Sequence, residues 1–258
     1  MTDSLGGRKY STDKRGRTMP KTSQGLSFSR NTTYYRQPTF EFNLPAGWAC
    51  PGAKDCLTKV DRDTGKRTTR GPEFLCYAAV SERYPNVRNQ RWDNFDLVKR
   101  LCKDDAAVIE LPKNATHVRI HGSGDFFNPR YLRLWIRTAK ANPEVKFWAF
   151  TKSINYLVDY LDTEGELPTN FEIQVSRGSK HDALIDAHPE LKTATVYDRL
   201  DEVPEDQMID FDDWAAQQPG PSFALLENQA NRNQADDPDI AAHNARAAEL
   251  IAAKGTRN

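Results

Sequence analysis

The sequence predicts an α/β fold: a parallel-stranded barrel or partial barrel with flexible N- and C-terminal segments. Three observations predict it. Short β-rich runs alternate with helical runs from about Thr39 to Val203. The links between the later strands are helix-sized, and strands joined this way pair in parallel through right-handed crossovers. Glycines and polar residues gather where the strands end, the edge at which such sheets bind ligands.

The elements follow in order. "TFEFNL" (Thr39 to Leu44) alternates and reads as a strand running into the loop "PAGWACPGAKDC". "EFLCYAAVSERY" (Glu73 to Tyr84) has helical spacing, and Pro85 is expected to stop it. "DNFDLVKRLCKDDAAVIEL" reads as a helix capped by Asp93. Its residues Phe95, Val98, Leu101 and Cys102 fall near one stripe, which makes Cys102 a core thiol. A strand from His117 to His121 breaks at Gly122. "NPRYLRLWIRTAKAN" is then a helix with Asn128 as cap and Pro129 first. "VKFWAFTKS" is a strand, and "INYLVDYLDTE" a helix that Ser153 could cap. "NFEIQVSRGS" is a strand ending at Gly178, and "TATVYDRL" a further one. "PDIAAHNARAAELIAAKG" reads as a terminal helix that could dock on the body or on a second copy.

Composition bounds the rest. The chain has 258 residues, 38% of them hydrophobic, and a mean hydropathy of -0.74. That suits one domain with tails: a disordered basic arm over 1–37, a catalytic-like α/β domain over 38–205, and an acidic segment with a helix over 206–258. No apolar run approaches the roughly 20 residues of a membrane span. The charged N-terminus lacks the apolar core of a secretory signal, so a cytoplasmic location is expected. The formal net charge is zero, but residues up to Arg36 are basic, and Asp201 to Asp239 holds Arg232 as its only Lys or Arg. A basic arm suits DNA or RNA, with a solvated tail as the alternative. "RYPNVRNQRWDNF" (Arg83 to Phe95) interleaves Arg with aromatics, as a nucleic-acid surface or a packed loop would.

The rim residues carry the candidate chemistry. Cys50 and Cys56 share one loop and Cys76 follows twenty positions on. Clustered cysteines in a reducing compartment bind metal or do chemistry more often than they pair. A structural zinc would need a fourth ligand from Cys102, His117 or His121; free thiols are the other alternative. In "HGSGDFF", Gly122 and Gly124 let backbone approach a ligand. Asp125 is a candidate base or amine acceptor, since Asn128 already caps the next helix. His121 is a candidate acid, base or ligand. Thr151, Lys152, Ser176, Arg177 and Lys180 end later strands. The loop "SKHDALIDAHP", with His181 and His188, reads as a polar turn.

Over Thr39 to Val203 the chain resembles a phage family known as gene product eighty-eight. The resemblance rests on "CPGA", "CYA", "VRIHGSGDFFNPRYLRLWI", "FWAFTKS" and "GSKHDALIDAHPE". It implies a phage or prophage source, and so the host cytoplasm, and brings no assigned reaction. More distantly, the order of parts looks like that of radical S-adenosylmethionine enzymes. That likeness implies a 4Fe–4S cluster on Cys50, Cys56 and Cys76. It puts Gly122, Ser123, Gly124 and Asp125 at the loop that meets the cofactor's amino group, with Thr151 and Ser176 on later strands holding S-adenosylmethionine. The spacing departs from that pattern, being C-x5-C-x19-C where C-x3-C-x2-C is usual, and Asp125 stands where Glu is usual. The expected function is an iron–sulfur enzyme acting on nucleic acid or nucleotides. The alternatives are a zinc-containing barrel transglycosylase exchanging a base, with Asp125 as nucleophile or base-recognition acid, and a non-catalytic zinc protein that binds nucleic acid.

Overall fold

The computed structural model of the chain describes residues 10–12, 18–54, 56–68, 76–227 and 236–255. Its elements run β1 (Tyr10–Thr12), β2 (Thr18–Pro20), β3 (Phe28–Asn31), β4 (Thr39–Phe42), β5 (Lys59–Val60), β6 (Arg67–Thr68), α1 (Tyr77–Ser81), α2 (Pro85–Leu101) and β7 (His117–Ile120). They continue α3 (Pro129–Ala141), β8 (Lys146–Thr151), α4 (Ile154–Glu164), β9 (Phe171–Ser176), α5 (Asp182–Ala187), β10 (Thr193–Tyr197), α6 (Trp214–Gln217), β11 (Phe223–Leu226) and α7 (Pro238–Gly255). One seven-stranded sheet, ordered β3-β4-β7-β8-β9-β10-β11, forms the body; β1 pairs with β2, and β5 with β6.

The six strands from β4 to β11 pair in parallel, and β3 is antiparallel to β4. Their spatial order follows the chain without reversal. Right-handed crossovers then put α2 to α5 on one face, because a change of face would need a reversal of order. Strand alternation fits this. Phe42, Val118, Ile120, Phe147, Ala149, Ile173 and Val175 pack with Val98, Leu134, Trp135, Leu157 and Ile185 in the main core. Each large apolar side chain so buried contributes about 1.5–3 kcal/mol. The opposite face carries a smaller cluster of Tyr35, Trp148, Ala194, Phe223 and Ala216 of α6.

The barrel expected from the sequence is not closed among the described residues: β3 and β11 are the two ends of the sheet. The antiparallel β3 occupies the edge of β4 that a closing strand would have to pair with.

Some elements differ from the sequence reading. Helix α2 begins at Pro85, not after Asp93. Proline lacks only an N–H that the first helical turn leaves free, so Pro85 starts a helix where it was expected to end one. Asn128 caps α3 as expected, its side chain accepting from Tyr131 N at 2.9 Å. Ser153 makes no cap bond; its Oγ donates to Phe126 O at 2.7 Å. Of the basic arm, residues 1–9 and 13–17 lie outside the described residues. Leu26 and Phe28 are buried and β3 joins the sheet, so the folded body starts before residue 38. It also continues past residue 205, since β11 extends the parallel sheet within the acidic segment. Helix α7 lays Ile240 against Val203, Ile209 and Ala224.

Candidate functional site

The loops after β4, β7, β8 and β9 meet at the C-terminal strand edge, and backbone bonds join them. Leu44 N donates to Ser123 O at 2.9 Å, and Ser123 Oγ returns a bond to Leu44 O at 2.9 Å. Across the rim, Lys54 N donates to Gly178 O at 3.1 Å and Lys180 N to Gly52 O at 2.9 Å. Ser179 Oγ donates to Lys152 O at 2.7 Å and lies 3.2 Å from Gly52 O. Gly52 is required for this docking: a β-carbon there would lie 2.1 Å from Lys152 O, which is backbone and cannot yield. The cysteine loop is thus seated on the loops that end β8 and β9.

Cys50, Cys56 and Cys76 are half-buried free thiols. Burial pushes the Cys50 thiol well up, and Asp125, Cys56 and Cys76 are near enough to add to the rise. Burial also raises Cys56, against an opposing effect of Lys152. The three therefore share one neighbourhood beside Asp125 and Lys152. Among the described residues, no group of three or more His, Cys, Asp or Glu side chains stands ready to hold a metal ion. Residues 55 and 69–75, which adjoin Cys56 and lead into Cys76, lie outside the described residues.

The residues weighed as a fourth ligand are engaged elsewhere. Cys102 is buried in the main core, its thiol 3.6 Å from Lys99 O. His117 opens β7, at the opposite end of the strand from the rim, with Nδ1 3.0 Å from Thr116 Oγ1. His121 is buried, with Nε2 2.9 Å from Tyr131 Oη. Burial lowers its pKa to about 3, so the ring is neutral at pH 7. A neutral ring packed between Phe126 and Tyr131 supports the loop and is poorly placed to exchange protons with a ligand.

Asp125 also has structural partners. It is buried; Oδ1 accepts from Phe126 N at 2.7 Å and Thr151 Oγ1 at 2.6 Å, and Oδ2 from Lys152 N at 2.9 Å. Burial raises its pKa to about 6, against these bonds. The expectation that the fold has little need of Asp125 is overturned, because this carboxylate joins the loops after β7 and β8. Ser123 and Thr151 are likewise engaged inside the rim. Gly124, at φ 89°, packs on Leu44, where a β-carbon would lie 2.6 Å from Leu44 Cβ. Of the expected cofactor-binding residues, Gly122 and the half-buried Ser176 keep an approachable surface.

Sequence reading missed a polar row on the face opposite the helices. Glu41, Arg119 and Trp148 are adjacent in register on β4, β7 and β8. Arg119 Nε lies 2.7 Å from Asp213 Oδ2, off the N–H direction, so the contact is an ion pair and not an aligned hydrogen bond. Trp148 Nε1 donates to the same oxygen at 2.9 Å. Burial works against the Arg119 charge, but Asp213, Tyr35, Tyr77 and Glu41 outweigh it and hold its pKa well above the usual value. Asp213 adopts φ 58°, the left-handed region that non-glycine residues rarely enter; such strain gathers at functional positions. Tyr77, next to Cys76, donates to Gly122 O at 3.2 Å. It is 70% exposed, yet burial raises its phenol pKa, with Arg119 and Cys76 close enough to act on it. The row's one visible signal was Arg119, a charge within an otherwise apolar alternation.

Of the Arg-aromatic stretch, Arg88, Arg91 and Phe95 are interior, whereas Arg83 and Tyr84 are exposed. Arg88 donates to Arg62 O and Glu82 O, both at 2.8 Å. Arg91 binds Glu82 Oε1 and Ala78 O, also at 2.8 Å. Those guanidiniums are not available to phosphate. The stretch expected to be a polar turn is instead mostly helix: Asp182–Ala187 form α5, whose Ile185 enters the core, and only the turn before it is polar, with Asp182 accepting from Gly178 N and Ser179 N. No described helix is long and apolar enough to cross a membrane.

A segment of the chain is 30% identical over 124 residues to the "Gene 88 protein" of Mycobacterium phage L5, covering 42% of this chain and 46% of that protein. A similar match to the "Gene 88 protein" of Mycobacterium phage D29 is 27% identical and covers 42% and 45%. The chain thus spans about half the length of these relatives. No solved structure matches it significantly. The family model described as "Gene product 88" matches residues 8–251, nearly the whole chain, and the protein belongs to the gene product 88 family of phage proteins.

Proposed function

We propose that the chain is an iron–sulfur enzyme of the radical S-adenosylmethionine type that acts on nucleic acid or nucleotides in the host cytoplasm. One observation carries the reading: three cysteines of one neighbourhood, seated on the C-terminal edge of a parallel sheet, with every weighed fourth ligand engaged elsewhere. Three thiolates suit a cluster whose remaining iron stays open; a structural zinc would need four ligands. The raised pKa values of Cys50 and Cys56 fit too, because buried thiols ionise when a cation offsets the lost hydration. Cys50, Cys56 and Cys76 would hold the cluster, which supplies one-electron chemistry when bound. Ser123, Asp125 and Thr151 maintain the rim, so the main chain at Gly122 and the half-buried Ser176 would meet S-adenosylmethionine.

Anaerobic preparation followed by iron analysis of single variants tests this. Cys50→Ala, Cys56→Ala and Cys76→Ala should each lose most bound iron, and Cys102→Ala should keep it. Equal retention in all four would refute the assignment, and stoichiometric zinc in place of iron would favour the zinc alternatives.

A further inference from the structure

Helix α3 buries one side and charges the other. Tyr131, Leu134, Trp135 and Ala139 enter the core. Arg130, Arg133, Arg137 and Lys140, spaced three, four and three residues apart, share the outward stripe. With Asp105 and Glu164 they line a hollow of about 480 Å³ over the buried Ile136 and Tyr160. Ligand sites of this size, about 300–1,000 Å³, are usually mostly apolar. Here six of the eight lining side chains are charged, so the hollow suits an ion and not an apolar ligand.

The positive charge is largely unmatched. Arg133 is held by acids: Nε binds Glu164, and Nη2 lies 3.2 Å from Asp159 Oδ2. Arg137 donates to two backbone carbonyls, Ala107 O at 3.0 Å and Asp104 O at 3.2 Å. Those bonds fix the guanidinium without cancelling its charge. The side chains of Arg130 and Lys140 are exposed and make no hydrogen bond or ion pair among the described residues. Asp105 likewise has no cation within ion-pair distance among them. Three unmatched cations therefore stand against one unmatched carboxylate.

We propose that this stripe is a track for the phosphodiester backbone of a nucleic acid, read without regard to sequence. The proposal rests on the reading of the chain as an enzyme of nucleic acid and names the surface that holds the polymer. Arginine presents a planar fork that matches phosphate oxygens, and a fixed guanidinium such as Arg137 loses little freedom on binding. Length argues for a polymer over a free nucleotide. From Arg130 to Lys140 the helix rises about 15 Å, at about 1.5 Å per residue. That matches about four phosphates of one duplex strand, at about 3.4 Å each. Position agrees with the candidate site. α3 starts directly after the loop that carries Asp125, so the Arg130 end of the stripe lies toward the rim and the Lys140 end away from it.

Fluorescence anisotropy of the full chain with labelled DNA, single-stranded and duplex, across a salt series tests the proposal. Arg130→Gln combined with Lys140→Gln removes two exposed charges that hold nothing in the fold. The pair should weaken the preferred form at least about fivefold and flatten its log–log salt slope by about 1.4 for a single strand or about 1.8 for a duplex. Asp105→Asn removes the opposing carboxylate and should tighten binding. Arg199→Gln with Arg246→Gln is the control, an equal loss of charge on the β10–β11 side, and should change little. Circular dichroism confirms that each variant is folded. No DNA binding by the full chain, an unchanged salt slope in the α3 pair, or an equal loss in the control would overturn the proposal. So would equally tight binding of polyglutamate, which would mark a surface for acidic protein. Iron measured on the same samples separates the two readings. Iron without stripe-dependent binding refutes this inference alone, and stripe-dependent binding without iron refutes the iron–sulfur chemistry alone.

Discussion

Replacing Asp125 with Ala should destabilise the protein severely. The carboxylate accepts three hydrogen bonds, from Phe126 N, Thr151 Oγ1 and Lys152 N, at 2.7, 2.6 and 2.9 Å. It is 4% exposed, so water cannot replace it without rearrangement. Hydrogen bonds to a charged partner contribute about 1.5–3 kcal/mol each, and buried donors left unpaired cost about 1–3 kcal/mol. The three share one acceptor, so they do not add in full; the expected loss is about 3–5 kcal/mol. For a chain of this size that lowers the melting temperature by on the order of 10 °C. Asp125→Asn is milder. Its oxygen can still accept from Phe126 N and Thr151, but its amide would face Lys152 N, donor against donor, and about 1–3 kcal/mol should be lost. Urea denaturation read by far-ultraviolet circular dichroism measures both, with Asn128→Ala as a cap-loss control near 1 kcal/mol. If Asp125→Ala changed stability by less than about 0.5 kcal/mol, the loop-joining role would be wrong and a purely functional acid would be restored.

Other predictions follow from the same geometry. Asp125 has a pKa raised to about 6, so its share of stability is present below about pH 3.8 and lost as pH rises through 6; Asp125→Asn should remove that descending component from stability measured against pH. His121 has the opposite sign: its pKa lowered to about 3 makes stability fall as pH drops from 6.5 toward 3, and His121→Asn should flatten that acid limb by one proton. Gly52→Ala, whose β-carbon would strike Lys152 O, should unseat the cysteine loop, so bound iron is lost while far-ultraviolet circular dichroism holds. Arg88→Ala should lower the urea midpoint and leave the affinity for a single-stranded oligonucleotide unchanged, because Arg88 binds backbone carbonyls.

The parallel sheet was legible because its strands and helices carry clean periodicities: Val118 and Ile120 on one phase of β7, and the capped, strongly amphipathic run of α3. The rim was legible for a related reason, since strand ends can be counted along the chain. The duties of the rim residues were not. Nothing local distinguishes an acid that awaits a ligand from one, like Asp125, that ties two loops together. Pro85 was misread because proline both stops and starts helices, and only the following turns decide. Asp213 was invisible: it partners Arg119 from far along the chain and sits in a segment whose composition reads as solvated surface. β11 was missed in the same stretch, where "FALL" is too short to show a period.

The central claim is a cysteine-bound iron–sulfur centre on the sheet's C-terminal edge. Its most direct test is the iron and acid-labile sulfide content of the full chain prepared without air. The account predicts a brown protein with about four iron and four sulfide per chain. A colourless protein without sulfide, from iron-replete anaerobic cells and with the fold intact, would contradict it.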